Sequence, residues 1–130
     1  AVKMLYKRTA TGSIEETETR LREAAARNGF GVLAVHDLRE KLAAKELDLG
    51  RECRVFEVCD PFQAKKVLDR DVSIANALPC RIAVYEEDGV PQVTMLRPTL
   101  LLGLFGQPEL GPIAQEVEDA MVRIIEAACG

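Results

Sequence analysis

Two β-rich runs, Cys80-Arg81-Ile82-Ala83-Val84-Tyr85-Glu86 and Gln92-Val93-Thr94-Met95-Leu96, are separated by a few residues that include Asp88-Gly89. Asp-Gly is a strong signal for a tight hairpin turn, because both residues tolerate positive φ. A link this short lets the two runs pair only antiparallel, since a parallel return needs a crossover of a dozen residues or more. All-parallel folds are thereby removed, and the rest of the chain has to be arranged around an antiparallel ribbon.

Upstream, Val2 to Lys7 alternates Val2, Met4 and Tyr6 with Lys3, Leu5 and Lys7, the period of a strand with one buried face. Ser13 followed by Glu16 forms a capping box. Ile14, Thr17, Leu21, Ala24 and Ala25 then recur at helical spacing until Asn28-Gly29 supplies a left-handed stop, which predicts a helix over 13–28. Phe30 to Asp37 is short, apolar and partly β-branched and predicts a well-buried strand. Leu38, Leu42, Leu47 and Leu49, set among charges, predict a helical excursion ending at Gly50.

Arg54 to Cys59 reads as the next strand, and Asp60-Pro61 as an N-cap followed by a first-turn proline, opening a helix over 61–70. The stretch from Asp71 to Leu78 matches neither period. Pro98 ends the strand that returns from the hairpin, and a short apolar helix is predicted over Thr99–Leu104. From Pro108 to Cys129, Ile113, Val117, Ala120, Met121, Ile124 and Ala128 form one apolar stripe that needs a sheet to cover.

This order, a β-α-β(4)-α core with extra short helices, predicts the α+β class: a mainly antiparallel five-stranded sheet with helices packed on one face. With 130 residues and 48% apolar composition, the chain is long enough to bury roughly two-thirds of its unfolded surface as one domain over 1–130. No repeat or linker divides it.

Seventeen basic residues stand against 21 acidic ones, a net charge of -4, and the basic residues are scattered rather than gathered in a stripe. This argues against nucleic acid or an anionic membrane as the main partner. Lys3, Lys7 and Arg8 interrupt the amino terminus where a signal peptide needs an apolar core, and the run Thr99–Phe105 is far shorter than the ~20 residues that span a bilayer. A cytoplasmic protein is expected. Four cysteines are too sparse for a secreted disulfide scaffold, and no C-x-x-C pair marks a zinc ribbon. A single histidine excludes sites built on two or three imidazoles. No glycine-rich phosphate loop or G-x-S-x-G elbow names a cofactor or a nucleophile.

The cysteines divide by position. If the strand ending at Cys59 pairs with the strand starting at Cys80, both thiols lie at the same end of the sheet, next to Asp60-Pro61 and Pro79. The helix N-terminus after Cys59 favours a thiolate, whereas Asp60 caps the same amides and repels a second negative charge, so the direction of the Cys59 shift stays open. Against this site stands the plain alternative that both cysteines are packing, with Asp60 only a cap. Cys53, which opens a strand, and Cys129, the second-last residue, are expected to have no role. His36 ends a strand that is expected to border Cys59, so His36, Asp37, Cys59 and Cys80 form a candidate metal site, without a ligand-spacing signature.

Gly29-Phe30-Gly31-Val32-Leu33, Asp37, the stretch from Lys45 to Leu49-Gly50, Cys59-Asp60-Pro61, Ala64, Leu68, Leu78-Pro79-Cys80-Arg81-Ile82-Ala83-Val84-Tyr85 and Glu116-Val117-Glu118 together resemble the small prokaryotic proteins catalogued as domain of unknown function 302. The resemblance covers nearly the whole chain. Asp60 departs from the Asn of that family's C-N-P motif, and Glu57-Val58 stands where the family tends to a Gly-Ala pair. The resemblance implies a TATA-binding-protein-like sheet with helices on one side, assembled as a homodimer, and no transferable activity. Three expectations follow for function: a small ligand or sulfur species bound at Cys59, Cys80, Asp60, Pro61, Pro79 and His36; a non-catalytic homodimeric module using an open sheet face or Leu100–Phe105; or a metal protein.

Overall fold

A computed structural model describes residues 3–130. Five strands, β1 (Leu5–Thr9), β2 (Gly31–Asp37), β3 (Cys53–Cys59), β4 (Cys80–Glu87) and β5 (Val90–Leu96), form one antiparallel sheet in the order β1-β5-β4-β3-β2. The helices are α1 (Ile14–Arg27), α2 (Leu38–Ala43), α3 (Pro61–Arg70), α4 (Pro98–Gly103) and α5 (Gly111–Cys129). The α+β class and the antiparallel sheet are as expected, and Asp88 (φ 51) and Gly89 (φ 78) make the hairpin turn.

Alternation along the central strands decides which face the helices cover. Phe56, Val58, Ile82, Val84 and Val93 are fully buried and point one way, beneath α1 and α5. Leu21, Ala24 and Ala25 of α1 and Met121, Ile124 and Ile125 of α5 close the layer, the small alanines letting the two helices approach. The capping box at Ser13 and Glu16 starts α1, and Gly29 (φ 78) ends it in the left-handed conformation that glycine adopts without cost. A second, smaller core joins Val67, Ile74, Leu102, Leu110 and Ala114 under α3, α4 and the start of α5.

Several boundaries differ from expectation for reasons the pairing makes plain. The first strand begins at Leu5 rather than Val2, which lies outside the described residues; its register with β5 runs from Leu5/Leu96 to Thr9/Gln92, and Met4 is exposed. β2, expected to be well buried, is an edge strand: a bulge between Val32 and Ala34 leaves Leu33 exposed, while Val32 and Val35 pack on the core. The excursion after it is helical only to Ala43, and Leu47 and Leu49 are exposed. Residues 72–77 form a 3₁₀ helix, with the Asp71 side chain accepting from the Ser73 amide.

Candidate functional site

The register places the two cysteines as their flanking motifs suggested. Val58 pairs with Cys80 and Gly31 with Cys59, so Cys59 and Cys80 sit on adjacent strands at one end of the sheet. There β3 passes into α3 through Asp60, whose Oδ1 accepts from the amides of Phe62 (3.0 Å) and Gln63 (3.4 Å), with Pro61 in the first turn. Gly29 lies beside Asp60, so the end of α1, the start of α3 and the two cysteines converge.

Both cysteines line one mostly apolar cavity of about 30 Å³, walled by Val58, Ala64, Val67 and Leu78 and by Pro98 and Leu101 of α4. Roughly 10–15 Å³ suffices for one water, so this space admits a species of a few atoms. Gln63 also lines it. Its Nε2 donates to Glu116 (2.8 Å), while its Oε1 is buried with no partner among the described residues. An acceptor left unmet in this way costs on the order of 1–3 kcal/mol.

The helix N-terminus does not activate Cys59. Burial first, and then the Asp60 carboxylate, push its thiol above the ordinary 9.0. Burial pushes Cys80 up to about 11, with the Cys59 thiol adding to the shift. Both therefore stand as neutral thiols at neutral pH, soft and weakly donating, and the thiolate role considered for Cys59 does not fit this geometry.

The unfolded Cys80 thiol ionises near 9.0 while the native one holds its proton to about 11, so the folded state binds more protons in that window. Stability should fall by about 2–3 kcal/mol as pH rises from 9 to 11 and be unaffected by this group below it. Urea midpoints across that range, wild type against Cys80→Ala, check this: the variant's curve is flatter.

His36 lies elsewhere. It pairs with Val55, four residues along β3 from Cys59, roughly 13 Å away. Its Nδ1 meets the Lys41 ammonium at 2.7 Å and its Nε2 meets Glu57 Oε1 at 2.6 Å. Since Lys41 can only donate, Nδ1 accepts and Nε2 carries the proton given to Glu57. Asp37 caps α2, accepting from the Glu40 amide at 3.0 Å. The expected approach of His36 and Asp37 to the cysteines is thus corrected, and among the described residues no group of three His, Cys, Asp or Glu side chains is placed to hold a metal ion. Cys53 lies at the far end of β3 and Cys129 is buried at the end of α5. Pro79 does not line this cavity but a neighbouring cleft, which Cys80 also lines.

Glu118, which in sequence stands only as part of the Glu116-Val117-Glu118 run of the family resemblance, has a structural role of its own. Buried on α5, it accepts from the Thr99 amide (3.1 Å), Thr99 Oγ1 (2.7 Å) and Arg97 Nε (3.3 Å), and so fixes the start of α4, the wall of the cysteine cavity. Glutamate inside the apolar stripe of α5 was the available signal. Gln63 was hidden because nothing in a sequence marks a glutamine whose oxygen goes unpaired.

The family model for the domain of unknown function DUF302 matches residues 6–128. A solved structure described as an uncharacterized conserved DUF302 protein from Bacillus stearothermophilus is similar at 32% identity and a TM-score of 0.94, over 99% of this chain and 100% of that one. No curated protein matches.

Proposed function

This chain belongs to the DUF302 family, and we propose that within it the protein is a small-ligand-binding protein that takes a small neutral species, such as hydrogen sulfide, at the cavity shared by Cys59 and Cys80. The observation that carries this reading is the convergence of two cysteines from different strands on one mostly apolar cavity. Gln63 Oε1 supports it as an unmet acceptor in the same wall, suited to a ligand that donates. Protonated thiols favour reversible binding of a soft neutral molecule over covalent attack. Asp60 and Pro61 set the helix end beside the cavity, and Pro79 sets the entry to β4. Thiols used in this way fit a reducing, cytoplasmic setting.

Gln63→Leu is the test. Replacing the unpaired acceptor with an apolar group of similar size should leave the free protein as stable or up to ~1–2 kcal/mol more stable, because the buried oxygen goes while only an exposed bond to Glu116 is lost. The same change should weaken hydrogen sulfide binding, read by calorimetric titration. A less stable variant that binds as well as wild type would refute the assignment.

A second reading, a homodimeric interaction module, is favoured by Leu104, which is 80% exposed at the end of α4. Leu101, by contrast, is turned into the cavity wall. Leu104→Glu should then convert a dimer to a monomer in sedimentation velocity, with Cys59→Ser/Cys80→Ser leaving assembly intact. A monomeric wild type would remove this reading.

A further inference from the structure

β4 and β5 are paired only from Glu87/Val90 to Ala83/Thr94, and the ladder stops there although both strands continue. β4 stays paired with β3 as far as Cys80, and β5 with β1 as far as Leu96, so the middle of the sheet forks while its two sides remain zipped. A cleft of about 500 Å³ fills the fork. That volume lies within the range of small-molecule sites, and its lining is mainly apolar with a few polar groups, as such sites are. Leu5, Val55, Ala83 and Leu96 supply apolar wall on the open face of the sheet, and Leu101 of α4 reaches it from the covered side.

Thr94 and Arg81 are among the polar residues that line the cleft. Thr94, only 4% exposed, stands on β5 opposite Ala83 of β4, at the last pair of the ladder. Arg81 makes no ion pair among the described residues, although Glu57 is directly opposite it on β3. Glu57 is committed elsewhere: its Oε1 is 2.6 Å from His36, which Lys41 backs at 2.7 Å. The carboxylate opposite Arg81 on the ladder is therefore engaged by the His36 N–H, and the Arg81 guanidinium has no carboxylate partner among the described residues. A guanidinium at the rim of an apolar cleft recognises a carboxylate with bidentate geometry.

We propose that the fork between β4 and β5 is a binding site for an amphiphilic anion, an aliphatic chain ending in a carboxylate, with the carboxylate on Arg81, the chain along Val55, Ala83 and Leu96, and Thr94 supplying a hydrogen bond. The cleft shares Ala77, Leu78, Cys80, Pro98 and Leu101 with the neighbouring cysteine cavity, but Cys59 and Gln63 line only that cavity, and Arg81, Ala83 and Thr94 only the cleft.

Octanoate is the probe, titrated calorimetrically into the full chain beside octanol, octylamine and acetate. Octanoate should bind at one site per chain, and octylamine and acetate at least about tenfold more weakly. Arg81→Gln, a change at an exposed residue, should weaken octanoate by about tenfold or more while leaving octanol unchanged. Ala83→Leu, which fills the cleft, should abolish both. Cys59→Ser should not alter octanoate affinity, so failure here is separable from failure of the cysteine reading. Equal binding of octylamine and octanoate, or octanoate binding indifferent to Arg81→Gln, would overturn the proposal.

Discussion

Phe56→Ala is expected to lower the free energy of unfolding by about 3–5 kcal/mol. Phe56 is fully buried at the middle of β3, opposite Val35 on β2 and Ile82 on β4, beneath the α1–α5 layer. The Arg22 guanidinium also lies 5.9 Å from its ring centroid. Truncation removes the ring's transfer energy and leaves a void that two strands and two helices, all held by other contacts, cannot close. Urea unfolding at fixed pH measures the loss. A cost under about 1 kcal/mol would mean that the helical layer collapses onto the sheet more freely than this packing allows.

Glu118→Ala is expected to cost about 2–3 kcal/mol by a different route. It leaves the Thr99 amide and hydroxyl, both part-buried, without their acceptor, and strips Arg97 of its carboxylate. Because Pro98, Leu101 and Leu102 of α4 wall the cysteine cavity, loosening α4 should also open the route to Cys80. Alkylation of Cys80 in native buffer should therefore speed up in Glu118→Ala. Glu118→Gln, which keeps one acceptor for Thr99, should recover most of the stability and most of the protection. If unfolding energy falls but Cys80 stays as protected as in wild type, α4 does not gate the cavity.

Local chemistry made much of the fold legible. Ser13 with Glu16, Asn28-Gly29, Asp60-Pro61 and Asp88-Gly89 each act within a few residues, so α1, the start of α3 and the β4–β5 turn follow from neighbours alone. Edge position is not local: the apolar run from Phe30 reads the same whether β2 has one neighbour or two, and only its pairing with β3 alone shows that Leu33 faces solvent. The segment 71–78 carries no clear period because a 3₁₀ helix supported by Asp71 needs none.

The site divides along the same line. Proximity of Cys59 and Cys80 was readable because two strand ends and their prolines fix it through one antiparallel pairing. Their protonation was not, since it depends on how deeply the cavity buries them, and burial prevails over the helix N-terminus. His36 was misplaced by reading strand ends without register: β2 and β3 run antiparallel, so the end of β2 meets the start of β3, far from Cys59. The fork between β4 and β5 leaves no mark in sequence at all, because the residues on both sides of it have ordinary strand character.

The most direct measurement is a titration of the ¹³Cβ resonances of the four cysteines with hydrogen sulfide in mildly acidic buffer. Cys53 and Cys129 serve as internal controls, because they stand outside the cavity. Saturable shifts are expected at Cys59 and Cys80 together, with Cys53 and Cys129 unmoved and the response lost in Gln63→Leu. Equal shifts at all four cysteines, or none at Cys59 and Cys80, would contradict it.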